Sequence, residues 1–431
     1  MSLIAVLGIV IFVVGILVSV ALHEFGHLIP AKIFDVKVTQ WMVGFGPTLW
    51  SRHRGETEYG IKLIPLGGYN RLIGMLPPRR EDGGRLRAAS TSPFHGVVEA
   101  SRAQAMDEIR PGEEHRVFYA KPWWQKAIIM AGGPAVNLAL GGVLLAVALM
   151  GFGTSMPQTT VKGVQDCVIP AAKQGAKCTA QDPVAPAAKA GLKPGDRLVS
   201  VGGVKVSDWA SLTREIREAG GRTVPIVVER GGSTMTVSTD VIATRRPDLN
   251  DPEKLVKVGF IGIEPTYAVE RQGPGAVMAA YGDSIVRTAG AVLRFPEKMV
   301  DVWHAAFSGR ERAADSPVGI VGASRIGGEI AAAPVPLSDR ISSFVGMLAS
   351  VNLALGIFNL VPLLPLDGGH IAGALWEGLR RLRYKLTGRT GPTYVDVARA
   401  LPLTYAMAVV IMVMGGLLIY ADLVNPVRLM Q

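Results

Sequence analysis

LIAVLGIVIFVVGILVSVAL, residues 3–22, runs without a charged side chain straight into HEFGH, residues 23–27. At about 1.5 Å per residue the apolar run makes a helix of about 30 Å, the thickness of a bilayer's hydrocarbon core. Positions four apart share a helix face, so His23 and His27 can reach one ion, and Glu24 can act as general base on an attacking water. Neutral imidazole suits Zn²⁺. Two histidines and a carboxylate at the edge of an apolar span are costly to bury unless something pairs with them. That cost weighs against reading them as markers of a helix end.

Three further apolar blocks follow, at residues 127–151, about 341–364 and 401–421; the second of these is interrupted by Asn352, Asn359 and Pro362. With 49% hydrophobic and only 19% charged residues, the composition is too apolar for an ordinary soluble globule. Residues 3–22 lack a basic leader and a small-x-small cleavage site, so they read as a span and not as a signal peptide. The net charge of +10 is explained by position. Basic residues crowd residues 31–126 and recur at Arg380, Arg381, Arg383, Lys385 and Arg389, between blocks one and two and blocks three and four. The positive-inside rule puts both stretches in the cytoplasm, leaving both termini and residues 152–340 outside. A multi-pass protein of the plasma (inner) membrane is expected, with the lipid bilayer as partner. Nucleic acid is not expected, since no recognisable binding module accompanies the charge.

The expected fold is a polytopic α-helical membrane protein of four transmembrane helices, with a membrane-associated β-hairpin region and an extracytoplasmic α/β domain. The expected order is a first transmembrane helix (1–34), β-hairpins (35–76), a mobile cytoplasmic loop (77–118), a second helix (119–152), the external domain (153–270), an amphipathic external segment (271–340), a third helix (341–375), a basic cytoplasmic loop (376–400), and a fourth helix with the tail (401–431). Residues 38–43, 48–50, 57–64 and 69–73 are β-branched and aromatic, and glycine-rich turns punctuate them. In the external domain, residues 185–190 and 209–218 read as helices; residues 197–201, 204–206, 224–229 and 234–241 read as strands. The two cysteines, Cys167 and Cys178, would pair in an oxidising compartment. Two free thiols are the alternative, and spacing does not decide.

A catalytic zinc site needs a third protein ligand and an open position. Asp367, in NLVPLLPLDGGH (residues 359–370), is the best choice, at the inner end of the third span. Pro362 and Pro365 break the helix there, and irregular backbone at such depth is tolerable around a protein-lined cavity. A turn aspartate before Gly368-Gly369 is the plainer reading of Asp367, and His370 is a rival ligand.

His23–His27 in the first span, Leu366-Asp367-Gly368 and a single external module resemble the site-2 protease family of intramembrane zinc metalloproteases. Gly44-Phe45-Gly46-Pro47, Pro65-Leu66-Gly67-Gly68-Tyr69 and Gly133-Pro134-Ala135-Val136-Asn137 fit its bacterial branch, the regulators of sigma-factor signalling. The tail Leu423-Val424-Asn425-Pro426 and the two cysteines look most like actinobacterial members. The resemblance implies one zinc on His23, His27 and Asp367, with Glu24 as base. It implies that Asn359 holds the substrate backbone or polarises the scissile carbonyl. The glycine-bearing hairpins (Gly44, Gly46, Gly67, Gly68) would offer a strand edge to an unwound substrate. Gly191-Leu192-Lys193-Pro194-Gly195-Asp196 resembles a PDZ domain in permuted order, acting as size filter or sensor, with residues 259–263 as a binding-loop strand; an inert spacer is the plain alternative. Expected substrates are single-span membrane proteins such as anti-sigma factors already cut outside. Two departures stand out. Pro365 lies one place later than the family's second proline, and Pro30, which removes the hydrogen bond to Gly26, is expected to kink or stop the first helix.

Two other functions compete. A membrane-anchored PDZ scaffold without catalysis has no need of Glu24 or Asp367. A metal transporter should line a path with polar residues, and these spans show little beyond the one site.

Overall fold

The computed structural model describes residues 2–77, 109–169, 178–179, 182–249, 254–313, 315–388 and 394–427. They form two compact units, Met1–Phe152 with Gln272–Gln431, and Gly153–Arg271. In the first unit, helices α1 (Leu3–Ile33), α2 (Trp123–Ala146, continued by a π-helical turn, Val147–Phe152), α8 (Leu337–Asn359) and α10 (Leu401–Val424) are long and apolar enough to cross a membrane. Ser2 caps α1 by accepting from Ala5 N at 3.2 Å. Of the kink or stop expected at Pro30, the stop does not occur: the helix continues to Ile33. The carbonyl freed at Gly26 faces α2, where a Cβ on Gly132 would strike it.

Strands β1 (Val38–Arg54) and β2 (Thr57–Leu72) are continuous elements of 17 and 16 residues in place of the four short strands expected. Their pairing nonetheless resolves into four segments. Trp41 pairs with both Tyr59 and Asn70, and Gly60 with both Met42 and Ser51. The order across the sheet is therefore 48–54, 57–62, 38–43, 68–72. Glycines at positive φ (Gly44 91°, Gly46 83°, Gly67 83°) bend the strands where a side chain would end them. Residues 68–72 are left as an edge. A core of Leu28, Val36, Val38, Trp41, Leu72, Phe118, Ile129 and Met130 fixes this sheet to α1 and α2.

The loop expected at 77–118 falls mostly outside the described residues. Its end is bound to the sheet: Lys37 pairs with Glu113 at 2.6 Å, and Arg116 with Asp35 and Glu56 at 2.7 and 2.8 Å. The segment expected to be amphipathic at 271–340 forms α5 (Pro274–Leu293), α6 (Phe295–Phe307) and α7 (Ile320–Ala332). α7 lies against α1, with Gly327 on Phe12 and Gly328 beneath the carbonyl of Ala5. The third span is shorter than expected. α8 ends at Asn359, a seven-residue break follows, and α9 (Asp367–Thr387) begins on the aspartate. The basic run Arg380–Lys385 is thus helical, and the helix ends at Gly388 in the left-handed region (φ 64°). Inside the spans, Asn352 donates to Ser19 Oγ at 3.0 Å, tying α8 to α1.

The second unit is a sheet of strands β3 (Thr154–Val164), β4 (Arg197–Val201), β5 (Val204–Lys205), β6 (Thr223–Arg230), β7 (Ser233–Asp240) and β10 (Ile263–Glu270). Its order is β10-β3-β4-β6-β7, with β5 on β4; β8 (Ile242–Pro247) pairs with β9 (Leu255–Phe260). Helices α3 (Pro186–Lys189) and α4 (Trp209–Glu218) complete it. An Asp208–Ser211 capping box starts α4, whose Leu212 and Ile216 bury into a core with Leu198, Val201, Ile226, Val228 and Ile261. Each such side chain contributes about 1.5–3 kcal/mol. Cys167 and Cys178 form a disulfide, with Cα atoms 6.0 Å apart.

Candidate metal centre

α1 presents His23, Glu24 and His27 to α2 and to the break between α8 and α9. The approach is possible because α2 is bare at the crossing: a Cβ on Gly133 would lie 2.7 Å from His23 Nε2, and one on Gly26 would lie 2.7 Å from the carbonyl carbon of Gly132. α2 is in turn fixed to α9 by a buried pair, Lys126 Nζ to Glu377 Oε2 at 2.8 Å, and by Trp123 against Gly378. Between α8 and α9, Leu363 N donates to Val361 O at 2.7 Å and Leu366 N to Leu363 O at 2.8 Å. Gly368 and Gly369 lie under this turn: a Cβ on the first would strike the carbonyls of Leu360 and Val361, and one on the second would lie 2.6 Å from Leu364 N. The turn delivers Asp367 to the two imidazoles.

The three groups form a near-equilateral triangle. His23 Nε2 and His27 Nε2 are 3.2 Å apart, and Asp367 Oδ2 is 3.3 and 3.4 Å from them. Ligands about 2.0–2.1 Å from a tetrahedral zinc are about 3.3–3.4 Å from one another. The proton inventory agrees. His27 Nδ1 donates to Ile129 O at 2.8 Å, so in the neutral ring Nε2 presents a bare lone pair. Asp367 Oδ2 is buried without a donor. Converging lone pairs repel unless a cation stands between them, and among the described residues this is the one group of three such side chains. His370 lines the same cavity but is not part of the triangle.

The cavity beside the triangle has a volume of about 400 Å³. Glu24, Asn359, Gly67 and Gly68 line it, together with Tyr69, Asn70, Asn137 and Pro365. Gly44 and Gly46, named with them from the sequence, are not among its lining residues; they lie at the bend of β1. Sequence reasoning missed Asn70, whose Nδ2 donates to Glu24 Oε2 and Glu24 O, each at 2.8 Å. Nothing in its spacing points to Glu24. The only clue is an amide one residue past Tyr69, in the glycine-flanked edge. Asn137, also given no role from the sequence, is 1% exposed with an unpartnered Oδ1.

A model of peptidase family M50 matches residues 11–403. The chain is 36% identical over 440 residues to the zinc metalloprotease Rip1 of Mycobacterium tuberculosis, covering 99% of both chains. It is 35% identical over 443 residues to Rip1 of Mycolicibacterium smegmatis, at the same coverage. To the metalloprotease MmpA of Caulobacter vibrioides it is 26% identical over 390 residues, 86% of each chain. These matches agree with a zinc-shaped donor set that has both histidines on a membrane-length helix: the chain is an integral membrane zinc metalloprotease and belongs to peptidase family M50, the site-2 protease family.

Proposed function

We propose that this protease hydrolyses peptide bonds inside the transmembrane segments of single-span proteins such as anti-sigma factors, as the second cut of regulated intramembrane proteolysis. The observation that carries this reading is the place of the donor triangle, two of its three corners on a helix of membrane-crossing length, beside a cavity with a strand edge in its wall. In this reading His23, His27 and Asp367 hold the zinc, which supplies Lewis acidity toward the scissile carbonyl and the attacking water. Glu24 takes the water's proton and passes it to the leaving amine, with no covalent intermediate. Asn359 holds the substrate backbone or polarises its carbonyl. A helical peptide bond is enclosed in its own hydrogen bonds, so the substrate must unwind first. The 68–72 edge gives the unwound segment a partner for its backbone, and Gly67 and Gly68 allow close approach.

The basic stretches face the cytoplasm, and both termini and the unit Gly153–Arg271 lie outside. That unit is a PDZ-like domain that admits substrates whose outer part is already trimmed. The test is quantitative membrane proteomics of cells carrying wild type or Glu24→Gln. Truncated single-span proteins should accumulate only in the mutant. Identical membrane-protein profiles in the two strains would overturn the proposal.

A further inference from the structure

Beyond the triangle and its base, the 68–72 edge carries Asn70 into the cavity wall. Its side-chain amide has two ends with different surroundings. One atom lies 2.8 Å from both the carboxylate Oε2 and the main-chain carbonyl of Glu24. Both neighbours are acceptors, so that atom must be the NH₂ group, and chemistry fixes the amide's orientation. The other atom, Oδ1, is then a buried acceptor, and no described residue donates to it. A buried amide oxygen without a donor is costly to maintain, and Asn70 belongs to the cavity wall. The edge fits tightly here: a Cβ on the neighbouring Gly68 would lie 2.8 Å from Glu24 Cγ. Strand edge and carboxylate are therefore packed as one piece.

We propose that Asn70 is the positioning residue of Glu24 and that its free Oδ1 accepts a backbone N–H of the bound, extended substrate chain. The inference rests on Glu24 being the general base. Nδ2 holds one carboxylate oxygen, which leaves the other to face the water. Oδ1 is covered in this structure, so it engages only when the 68–72 edge shifts to seat a chain, and one amide then ties substrate seating to the aim of the base. The substrate class this selects is an extended polypeptide with a free backbone amide at that register; a segment still helical has no such N–H to give.

The test uses the full-length protein in detergent micelles with β-casein, an extended chain, as probe. Asn70→Leu keeps the volume and removes both polar ends. It should lower kcat at least about tenfold, the loss expected for one hydrogen bond to a charged group. In a Glu24→Gln background, where nothing is cleaved, Asn70→Leu should weaken binding of labelled β-casein about fivefold, as for a lost neutral hydrogen bond. Zinc content and hydrogen-exchange protection of residues 68–72 should match wild type. Unchanged kcat or unchanged binding overturns the inference. So does a loss of either that comes with lost zinc or lost protection, because Asn70 would then only support the fold. Failure of the underlying reading looks different: Glu24→Gln would cleave as well as its parent.

Discussion

A methyl group on residue 133 is enough to press on both imidazoles of the donor triangle and crowd out an ion held between them. Alanine there would bring its Cβ to 2.7 Å from His23 Nε2 and closer still to His27 Nε2, with the α2 backbone behind it. Gly133→Ala should therefore abolish stoichiometric zinc, measured by metal analysis of purified protein, while circular dichroism keeps the helical signal. Zinc at wild-type content in that variant would contradict the geometry. Residues of this kind differ in how far the sequence reveals them. His23, Glu24 and His27 are legible because one helix spaces them, and Asp367 because two prolines and two glycines mark its turn. Asn70 is not, because its partner is 46 residues away and the contact exists only once the sheet has docked on α1. Gly133 could be read as part of a motif, yet the reason for its bareness, two imidazoles against it, is a tertiary fact.

Among the elements, α10 meets the chain before α7 through charge. Asp422 Oδ1 accepts from Arg312 Nη1 at 2.8 Å, and Oδ2 from Gly319 N and Gly322 N at 2.9 and 2.8 Å, so the carboxylate caps α7. Both side chains of the pair are 1% exposed. Three residues on, Asn425 donates to the carbonyls of Ala305 and Arg310. Arg312→Ala leaves a buried carboxylate short of its cation and should cost about 3–5 kcal/mol, whereas Arg312→Met with Asp422→Leu should recover most of that. Thermal unfolding in detergent would decide, and equal melting of all three proteins would show the pair to be idle. From the sequence the tail motif was recognisable but without a job, since its partners come from α6 and the chain that follows it. The end of α9 was misjudged for a simpler reason. Its basic residues suggested a loop, although Gly388 marks a helix end of ordinary type.

At the scale of the whole molecule, four spans could be counted because the bilayer sets their length, and the unit Gly153–Arg271 could be bounded because strand and turn signals replace apolar runs. The order of strands in the hairpin sheet could not be read, because double pairing of Trp41 and Gly60 depends on which segments fold back. The unit Gly153–Arg271 carries its own acid sensitivity. Asp196 is fully buried, accepting from Arg230 at 2.6 and 2.7 Å and from Lys193 N at 2.8 Å. The guanidinium holds its carboxyl below the usual carboxylate range. A depressed carboxyl stabilises above its unfolded pKa and loses that stability as pH falls through the folded one. Calorimetry of the whole chain should thus show this unit's transition unchanged near neutrality and falling only below about pH 4, and Asp196→Asn should flatten that fall. The first unit has a different constraint. Where α1 crosses α2, Gly26 and Gly132 meet backbone to backbone with no side chain between them. Two rods in such contact have no slack for a wedge, so they behave as the fixed jaw of a vice. A transmembrane substrate of the kind proposed would then have to find its opening on the opposite side, by displacing the hairpin edge or the turn between α8 and α9.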